Sequence, residues 1–202
     1  LIIFIIIIID QVSKIYIKLN FPLTLYGQAA LVDFEWFKIL FVENKGMAWG
    51  AKISDFLPFI SERTGKLMLT LLRTLSVPLI FYWLYDSIRK NAGKLLIISL
   101  SMVLAGAIGN IIDSCFYGLI FNDSYNNIAT LLPESGGYAG LFSGKVVDMF
   151  YFPLINTTLP NWLPILGGDH FIFFKPVFNI ADAGISTGIF LILIFYLLID
   201  FL

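Results

Sequence analysis

Two short segments of the sequence place an amide and a carboxylate at the same spacing. "GNIID" contains Asn110 and Asp113, and "FNIAD" contains Asn179 and Asp182. Residues i and i+3 share one face of a helix, so each pair would present both groups to the same neighbour. Both segments adjoin long apolar runs, where a carboxylate costs about 2.5–3.5 kcal/mol or more and usually faces a bundle interior or a cavity. A single pair is equally well explained by hydrogen bonds between helices. Two pairs, with Asp148 expected at the same depth, favour a functional site.

Carboxylates are the reactive groups that the sequence offers at this level. The single histidine, His170, lies far from any nucleophile-like motif, so a Ser-His-Asp triad is not indicated. Neither H-E-x-x-H nor a Cys/His cluster is present, so we expect no metal and no cofactor. The single cysteine, Cys115, is expected to pack at an apolar helix end. Two adjacent carboxylates cannot both ionise easily, so one keeps its proton near neutral pH while the other accepts a proton from water. This is aspartic-protease chemistry, in which the proton belongs to the pair.

The composition predicts an integral membrane protein. Of 202 residues, 58% are hydrophobic and only 13% are charged, whereas soluble domains carry about 25% charged residues. The mean hydropathy is +0.87. A net charge of -1 gives no indication of a nucleic-acid partner.

The apolar runs predict an all-α membrane protein with four transmembrane helices, because a spanning helix needs about 20 mostly apolar residues. Alternation in "LVDFEWFKILFV" predicts short strands between the first two helices, as part of a small extracytoplasmic β-rich region. The opening run lacks an A-x-A cleavage site, so we interpret it as a spanning helix that begins upstream of Leu1, not as a removed signal peptide. The whole chain, 1–202, is expected to form one membrane domain. The predicted spans are about 1–19, 67–85, 95–116 and 177–202, and the predicted outer regions are about 20–66 and 117–176.

Basic residues in the short loop between the second and third helices set the expected orientation. Arg89, Lys90 and Lys94 place that loop in the cytoplasm, so both termini lie inside and both long regions outside. The polar groups then collect in one layer near the outer face. This layer also contains Asp10 and Lys14 of the first helix.

Five segments of the chain, taken in order, carry a family resemblance. They are "DQVSK" from Asp10, "ENKGMAWG" from Glu43, "GAIGNIID" from Gly106, "VVD" from Val146 and "FNIADAGISTG" from Phe178. On these segments the chain resembles lipoprotein signal peptidase, or signal peptidase II, a family of bacterial inner-membrane aspartic proteases. The resemblance implies removal of the signal peptide from a prolipoprotein, just before a cysteine that carries a diacylglyceryl group. It also implies contact with membrane lipid, and we expect a monomer.

The resemblance also implies roles for residues at matching positions. Asp148 and Asp182 match the catalytic pair. A second group matches polar residues that orient the pair, the scissile carbonyl or the substrate backbone, and comprises Asn44, Asn110 and Asn179. Asp113 is similar to a supporting carboxylate. For Asp10 and Lys14 both a structural ion pair and substrate positioning are compatible, and we favour the structural role. The two catalytic carboxyl groups are expected within hydrogen-bond or one-water reach of each other.

Two departures from the family pattern stand out. Ser114 follows Asp113 where the family usually has arginine, so Asp113 must be stabilised by another group, Ser114 or a lysine. The interval from Asp113 to Asp148 is also long, and residues from about 116 to 145 are interpreted as an outer-loop insertion. A lid or partner surface and a plain surface insertion are equally compatible with it. For Arg73, in the second helix, pairing with an aspartate and an outward orientation both remain open.

Two other functions are compatible with buried aspartates. A proton-coupled transporter would spread carboxylates across the bilayer, whereas here they gather at one end, and it would often repeat whole groups of helices. A non-enzymatic assembly factor would use the polar groups to join helices, which leaves Asp148 without a purpose. Both alternatives predict that Asp148→Asn is better tolerated than in a protease.

Overall fold

The structure is a computed structural model that describes residues 1–23, 30–44, 56–57, 59–164 and 167–200. Its described part contains four long helices and six short strands. The third helix is α-helical to Ile112, widens into a π-helix over Asp113–Tyr117 and ends with one further α-turn. The helices are α1 Ile2–Asn20, α2 Glu62–Arg89, α3 Lys94–Ile120 and α4 Ile180–Asp200.

Three of the described helices, α2, α3 and α4, are long and apolar enough to cross a membrane. They correspond to three of the four predicted spans, although α2 and α3 are longer than predicted. The remaining helix, α1, has 19 residues but contains Asp10, Lys14 and Lys18. All three lie within one 18-residue stretch, whereas α2, α3 and α4 each contain an apolar 18-residue stretch with at most two charged residues. The membrane crossing of α1 therefore remains a prediction.

The charged face of α1 is buried and its apolar face is exposed. Asp10, Lys14 and Lys18 recur at every fourth position and are all 0% exposed, whereas Phe4 and Val12 on the other face are 72% and 63% exposed. Residues four apart share one helical face. The helix therefore turns its ionic stripe toward the protein and its apolar face outward, an arrangement that suits a lipid environment.

Small residues let α3 and α4 approach each other closely. A Cβ atom on Gly106 would lie 2.2 Å from the backbone oxygen of Ala181, and one on Gly109 would lie 2.7 Å from the Asp10 carboxylate. No larger side chain fits at either position without displacing backbone or a charged group. The close approach brings the N-terminal turn of α4 beside the polar end of α3.

The six described strands are β1 Val32–Asp33, β2 Lys38–Asn44, β3 Val146–Tyr151, β4 Ile155–Thr158, β5 His170–Phe173 and β6 Val177–Phe178. A four-stranded antiparallel sheet, in the order β1-β2-β3-β6, lies at this polar end, and β4 and β5 form a separate pair.

The start of α4 corrects our expectation, since the predicted fourth span began at Val177. Val177 and Phe178 instead pair with Tyr151 and Phe150 as the edge strand β6. Both residues suit a strand, and their backbone groups pair with β3 before the helix begins.

The hydrophobic core joins the insertion to α1 and β3. Phe121 and Ala129, within the predicted insertion, are 0% and 2% exposed and belong to the same buried cluster as Ile17 and Met149. The backbone of Leu23 also donates to the carbonyl oxygen of Ser124 at 2.8 Å. Part of the insertion is therefore core, and it cannot be a plain surface addition along its whole length.

Candidate active site

Asp148 and Asp182 reach the site from different elements. Asp148 lies in β3 and is 2% exposed. Asp182 lies in the first turn of α4, where its backbone N–H donates to the side-chain oxygen of Asn179 at 2.8 Å. An asparagine that caps a helix in this way fixes the direction of its first turn. The short connection from β6 through Asn179 into α4 thus places Asp182 beside β3.

Side-chain amides link the two carboxylates. The Asn179 amide nitrogen donates to Asp148 Oδ1 at 2.7 Å and lies 3.2 Å from Asn110 Oδ1. The Asn110 amide nitrogen in turn donates to Asp182 Oδ1 at 2.7 Å. Asn44 donates to the other oxygen of Asp148 at 3.2 Å. The structure therefore brings five of the predicted site residues into one hydrogen-bond network.

A buried lysine supports this network from α1. Lys14 Nζ lies 2.8 Å from Asp10, 2.9 Å from Asp113 and 3.0 Å from the Asn110 side-chain oxygen. Asp10 also accepts the backbone N–H of Ala181 at 2.9 Å, at the start of α4. Lys14 is thus the centre of contacts that tie α1, α3 and the start of α4 together.

Asp113 is stabilised without an arginine. Besides Lys14, the side-chain nitrogen of Gln11 donates to it at 2.9 Å, and the backbone N–H of Val147 donates at 3.3 Å. The hydroxyl of Ser114 donates instead to the Asn110 backbone oxygen. Of the two alternatives that the sequence left open, the lysine makes the contact with Asp113.

The environment of Asp148 favours its protonated form. Burial, and then the negative charge of Asp182, raise the pKa of Asp148 to about 7. Hydrogen bonds from Asn44 and Asn179 and the charge of Lys14 act in the opposite direction but do not outweigh burial. A carboxyl group with this pKa exchanges a proton near neutral pH, as acid–base catalysis requires.

A cavity of about 800 Å³ extends from the two aspartates between α2, α3 and α4. On α3 and α4 a polar residue at one end is followed by apolar residues along the same face, and α2 contributes two polar residues and one apolar residue. From Asp182 to Ile189 the cavity follows α4 for about 10 Å at 1.5 Å per residue. Along these faces the lining residues are Arg73, Ser76 and Ile80 from α2; Asn110, Ala107 and Val103 from α3; and Asp182, Ile185 and Ile189 from α4.

The structure also places the other residues that were singled out in the sequence. His170 is exposed on β5, and Cys115 is buried in the π-helical turn. Arg73, whose direction the sequence left open, lines the cavity together with both aspartates. Of the segment "ENKGMAWG", Glu43 and Asn44 are described, whereas 45–50 lie outside the described residues.

Three polar residues near the site were not identified from the sequence. Gln11 bonds Asp113, and Lys18 forms an ion pair with Glu43. The four-residue spacing from Asp10 through Lys14 to Lys18 could have indicated that Lys18 lies on the same helical face as the other two. No comparable signal connects Gln11 or Glu43 with partners that lie far away in the sequence.

Comparison with known proteins gives consistent results. The sequence matches the family described as Signal peptidase (SPase) II over residues 2–198. It is 47% identical over 190 residues to the lipoprotein signal peptidase of Porphyromonas gingivalis, covering 94% of this chain and 78% of the relative. The lipoprotein signal peptidase of Amoebophilus asiaticus is 33% identical over 93% of this chain and 72% of that protein.

The fold is also shared with a solved structure. A bacterial membrane enzyme determined by the in meso method at 1.9 Å resolution aligns with a TM-score of 0.58. The alignment has 24% sequence identity and covers 97% of this chain and 90% of the other. On the sequence matches, this chain belongs to the signal peptidase II family and is a peptidase.

Proposed function

We propose that this peptidase removes signal peptides from prolipoproteins, cutting just before a cysteine that carries a diacylglyceryl group. One observation carries the proposal: Asp148 and Asp182 are joined by the amides of Asn110 and Asn179 at the polar end of an apolar cavity between helices. The relatives named lipoprotein signal peptidase support this choice of substrate.

The two aspartates act as a dyad that holds one proton. In the first step the ionised carboxylate accepts a proton from water as the water oxygen bonds to the scissile carbonyl carbon. The protonated carboxyl donates its proton to the carbonyl oxygen, which gives a neutral tetrahedral diol. Collapse of the diol breaks the C–N bond as the carboxyl that took the water proton passes it to the leaving amine of the cysteine. One diol hydroxyl returns its proton to the other carboxylate, and a carboxylic acid and an amine result. The dyad ends with one proton, as it began.

The surrounding amides keep the dyad in position through this cycle. Asn179 and Asn110 each donate to one carboxylate, so neither aspartate can rotate freely. Lys14 donates to the side-chain oxygen of Asn110 and forms an ion pair with Asp113, which fits a structural role for Lys14 and Asp10. Catalytic groups held in this way lose little freedom on reaching the transition state.

The apolar part of the cavity suits the substrate. Ile80, Val103 and Ile189 line it at the end away from the aspartates. A signal peptide and acyl chains are apolar, so their burial there is favourable by roughly 25 cal/mol per Å². At the polar end the lipidated cysteine would then lie next to the dyad.

The proposed membrane arrangement follows from the charged loop. Arg89, Lys90 and Lys94 connect α2 and α3 on the cytoplasmic side of the bacterial inner membrane. With α1 as the fourth span, both termini are cytoplasmic, and the sheet and active site lie near the outer face. The enzyme acts as a monomer, since the dyad and its amides come from one chain.

The family match favours this function over the two others that the sequence left open. An assembly factor gives no reason for an Asp148 carboxyl with a pKa near neutrality beside a second carboxylate. A proton-coupled transporter would spread its carboxylates across the bilayer, whereas Asp148 and Asp182 line one cavity together.

Purified full-length protein in detergent tests the proposal. The enzyme is incubated with a peptide that spans the cleavage site of a prolipoprotein and carries a diacylglycerylated cysteine, or with the same peptide without lipid. The products are analysed by mass spectrometry. We expect cleavage before the cysteine in the lipidated peptide and far slower cleavage in the unmodified one. Asp33→Asn serves as the control, since Asp33 lies in β1 and pairs with Lys38. A folded enzyme that cuts neither peptide, or cuts elsewhere, would contradict the proposal.

A further inference from the structure

A second buried charge cluster lies on the opposite face of β2 from the active site. Glu43 has a side chain that is 1% exposed, and Lys18 from α1 forms an ion pair with one of its oxygens. Lys145, at the end of the insertion, lies 2.5 Å from the other oxygen. Ser124, also from the insertion, donates to Glu43 at 3.0 Å and accepts from Lys18 at 2.7 Å. Both carboxylate oxygens of Glu43 are thus engaged.

The cluster keeps Glu43 charged. Burial alone would raise the pKa of Glu43, but Lys18 and Lys145 lower it below its ordinary value. The Lys18 ammonium is also 5.3 Å from the ring centre of Phe121 and 5.1 Å from that of Tyr138, a separation typical of cation–π contacts. The insertion supplies both rings, so it encloses the cluster as well as contributing to it.

Chain continuity connects the cluster to the dyad. Glu43 directly precedes Asn44, and Lys145 directly precedes Val146. In the β2–β3 ladder Asn44 pairs with Val146 and Glu43 pairs with Val147. The Glu43–Lys145 ion pair therefore closes the end of the ladder from which Asn44 reaches Asp148.

The alternation of a strand determines how Glu43 can act. Neighbouring residues of a strand point to opposite faces, so Glu43 points away from Asp148 while Asn44 points toward it. Glu43 thus cannot contact the substrate at the dyad and acts on the reaction through its strand neighbours, of which Asn44 contacts Asp148 directly.

We propose that Glu43, Lys18 and Lys145 form a positioning cluster that holds Asn44 against Asp148 and makes the insertion part of the catalytic support. The inference rests on the proposed function of the dyad. It assigns the insertion a role different from a lid or a partner surface, because Ser124, Tyr138 and Lys145 contact the cluster inside the protein.

The pH profile of cleavage tests the proposal, because a purely structural role would not move it. The groups that act on Asp148 are Asp182 of α4, Asn44 of β2, Asn179 before α4, Lys14 of α1 and the charge of Arg73 of α2. Of these, the proposal predicts that Glu43→Gln disturbs only the bond from Asn44. That bond favours ionised Asp148, so its loss moves the upper pH limit of activity to higher pH.

We expect Glu43→Gln to lower kcat by about tenfold, the equivalent of one hydrogen bond to a charged group, with KM little changed. Its pH limit should move in the same direction as that of Asn44→Ala. Lys145→Met should behave likewise, and Lys145→Arg should restore most of the activity. Asp33→Asn, which breaks the Asp33–Lys38 pair of 2.6 Å in the same sheet, should leave kcat and the pH limit unchanged.

The melting temperature in detergent separates folding from positioning. If Glu43→Gln does not fold, Lys145→Met carries the test, since Lys145 is 16% exposed and lies at the edge of the cluster. Folded variants with an unchanged pH limit and unchanged kcat per folded molecule would overturn the inference, and so would a loss confined to KM. The parent enzyme must cleave in the same assay, so inactivity of the parent would reject the proposed function instead.

Discussion

Removing the amide of Asn44 should make Asp148 harder to ionise. In the structure this amide donates to Asp148 Oδ2 at 3.2 Å, and it lowers the pKa that burial and Asp182 raise to about 7. A hydrogen bond to a charged group contributes about 1.5–3 kcal/mol, and at this length we take the lower end. Since 1.36 kcal/mol corresponds to one pKa unit, Asn44→Ala should raise the pKa of Asp148 by about one unit.

The sign of the effect on activity follows from the shared proton. The dyad works with one proton, and it loses that proton as the pH rises through the pKa of Asp148. Cleavage by the parent should therefore decline above about pH 7. In Asn44→Ala the proton is held to higher pH, so the decline should begin about one unit later.

The assay is kcat/KM for the lipidated peptide across the pH range, measured beside Asn156→Ala. Asn156 is an exposed amide in β4 and makes a suitable control, because it belongs to the other strand pair. The control should follow the parent. An upper limit that stays in place or moves to lower pH in Asn44→Ala would refute the assignment of this hydrogen bond and the acid role of Asp148.

Three further predictions concern stability, measured as thermal unfolding in detergent. Between about pH 4 and 7, Asp148 keeps its proton in the folded protein, whereas in the unfolded chain it has released it. The stability of the parent should therefore fall as the pH rises through that window. Asp148→Asn should be more stable than the parent at pH 8 but not at pH 4. Lys14→Met leaves two buried carboxylates, Asp10 and Asp113, without their cation and should cost about 3–5 kcal/mol. Gly106→Ala forces a methyl group against the Ala181 carbonyl oxygen and should cost about 1–3 kcal/mol.

Matched variants decide these three cases. For Asp148, equal melting temperatures of parent and variant at both pH values would show that its burial costs nothing. Adding Asp113→Asn to Lys14→Met should recover part of the loss, and no recovery would place the cost elsewhere. Gly140→Ala is the control for Gly106, because a Cβ atom there meets nothing within 4 Å. A similar loss in both glycine variants would contradict the close approach of α3 and α4.

The sequence predicted much of the site because its residues lie in short, regular patterns. The Asn-x-x-Asp spacing predicted that each asparagine shares a helical face with its aspartate. Asn110 lies within α3 as predicted, whereas Asn179 lies just before α4 and caps it, and the structure links the two amides to each other. The apolar runs predicted the helices, although not their ends. Helix α2 begins earlier than predicted because Ser61 caps it, accepting from the backbone N–H of Thr64 at 3.1 Å.

What the sequence did not predict depends on contacts between distant segments. Lys145 meets Glu43 across 102 residues, and nothing local to either residue indicates the other. Val177 was placed in a helix because the run that follows it is apolar, yet pairing with Tyr151 makes it a strand. In both cases tertiary contacts decide the structure, and local preference gives only a weak indication.

Single-turnover cleavage of the lipidated peptide by Asp148→Asn and Asp182→Asn, beside the parent and Asp33→Asn, tests the aspartate dyad most directly. Each variant is first shown to be folded by its melting temperature. We expect the parent and Asp33→Asn to cut before the cysteine. Both dyad variants should lose at least about 10³-fold in rate, because a group that transfers protons in the reaction is removed. Near-normal cleavage by either folded dyad variant would show that its aspartate is structural, and the dyad would have to be abandoned.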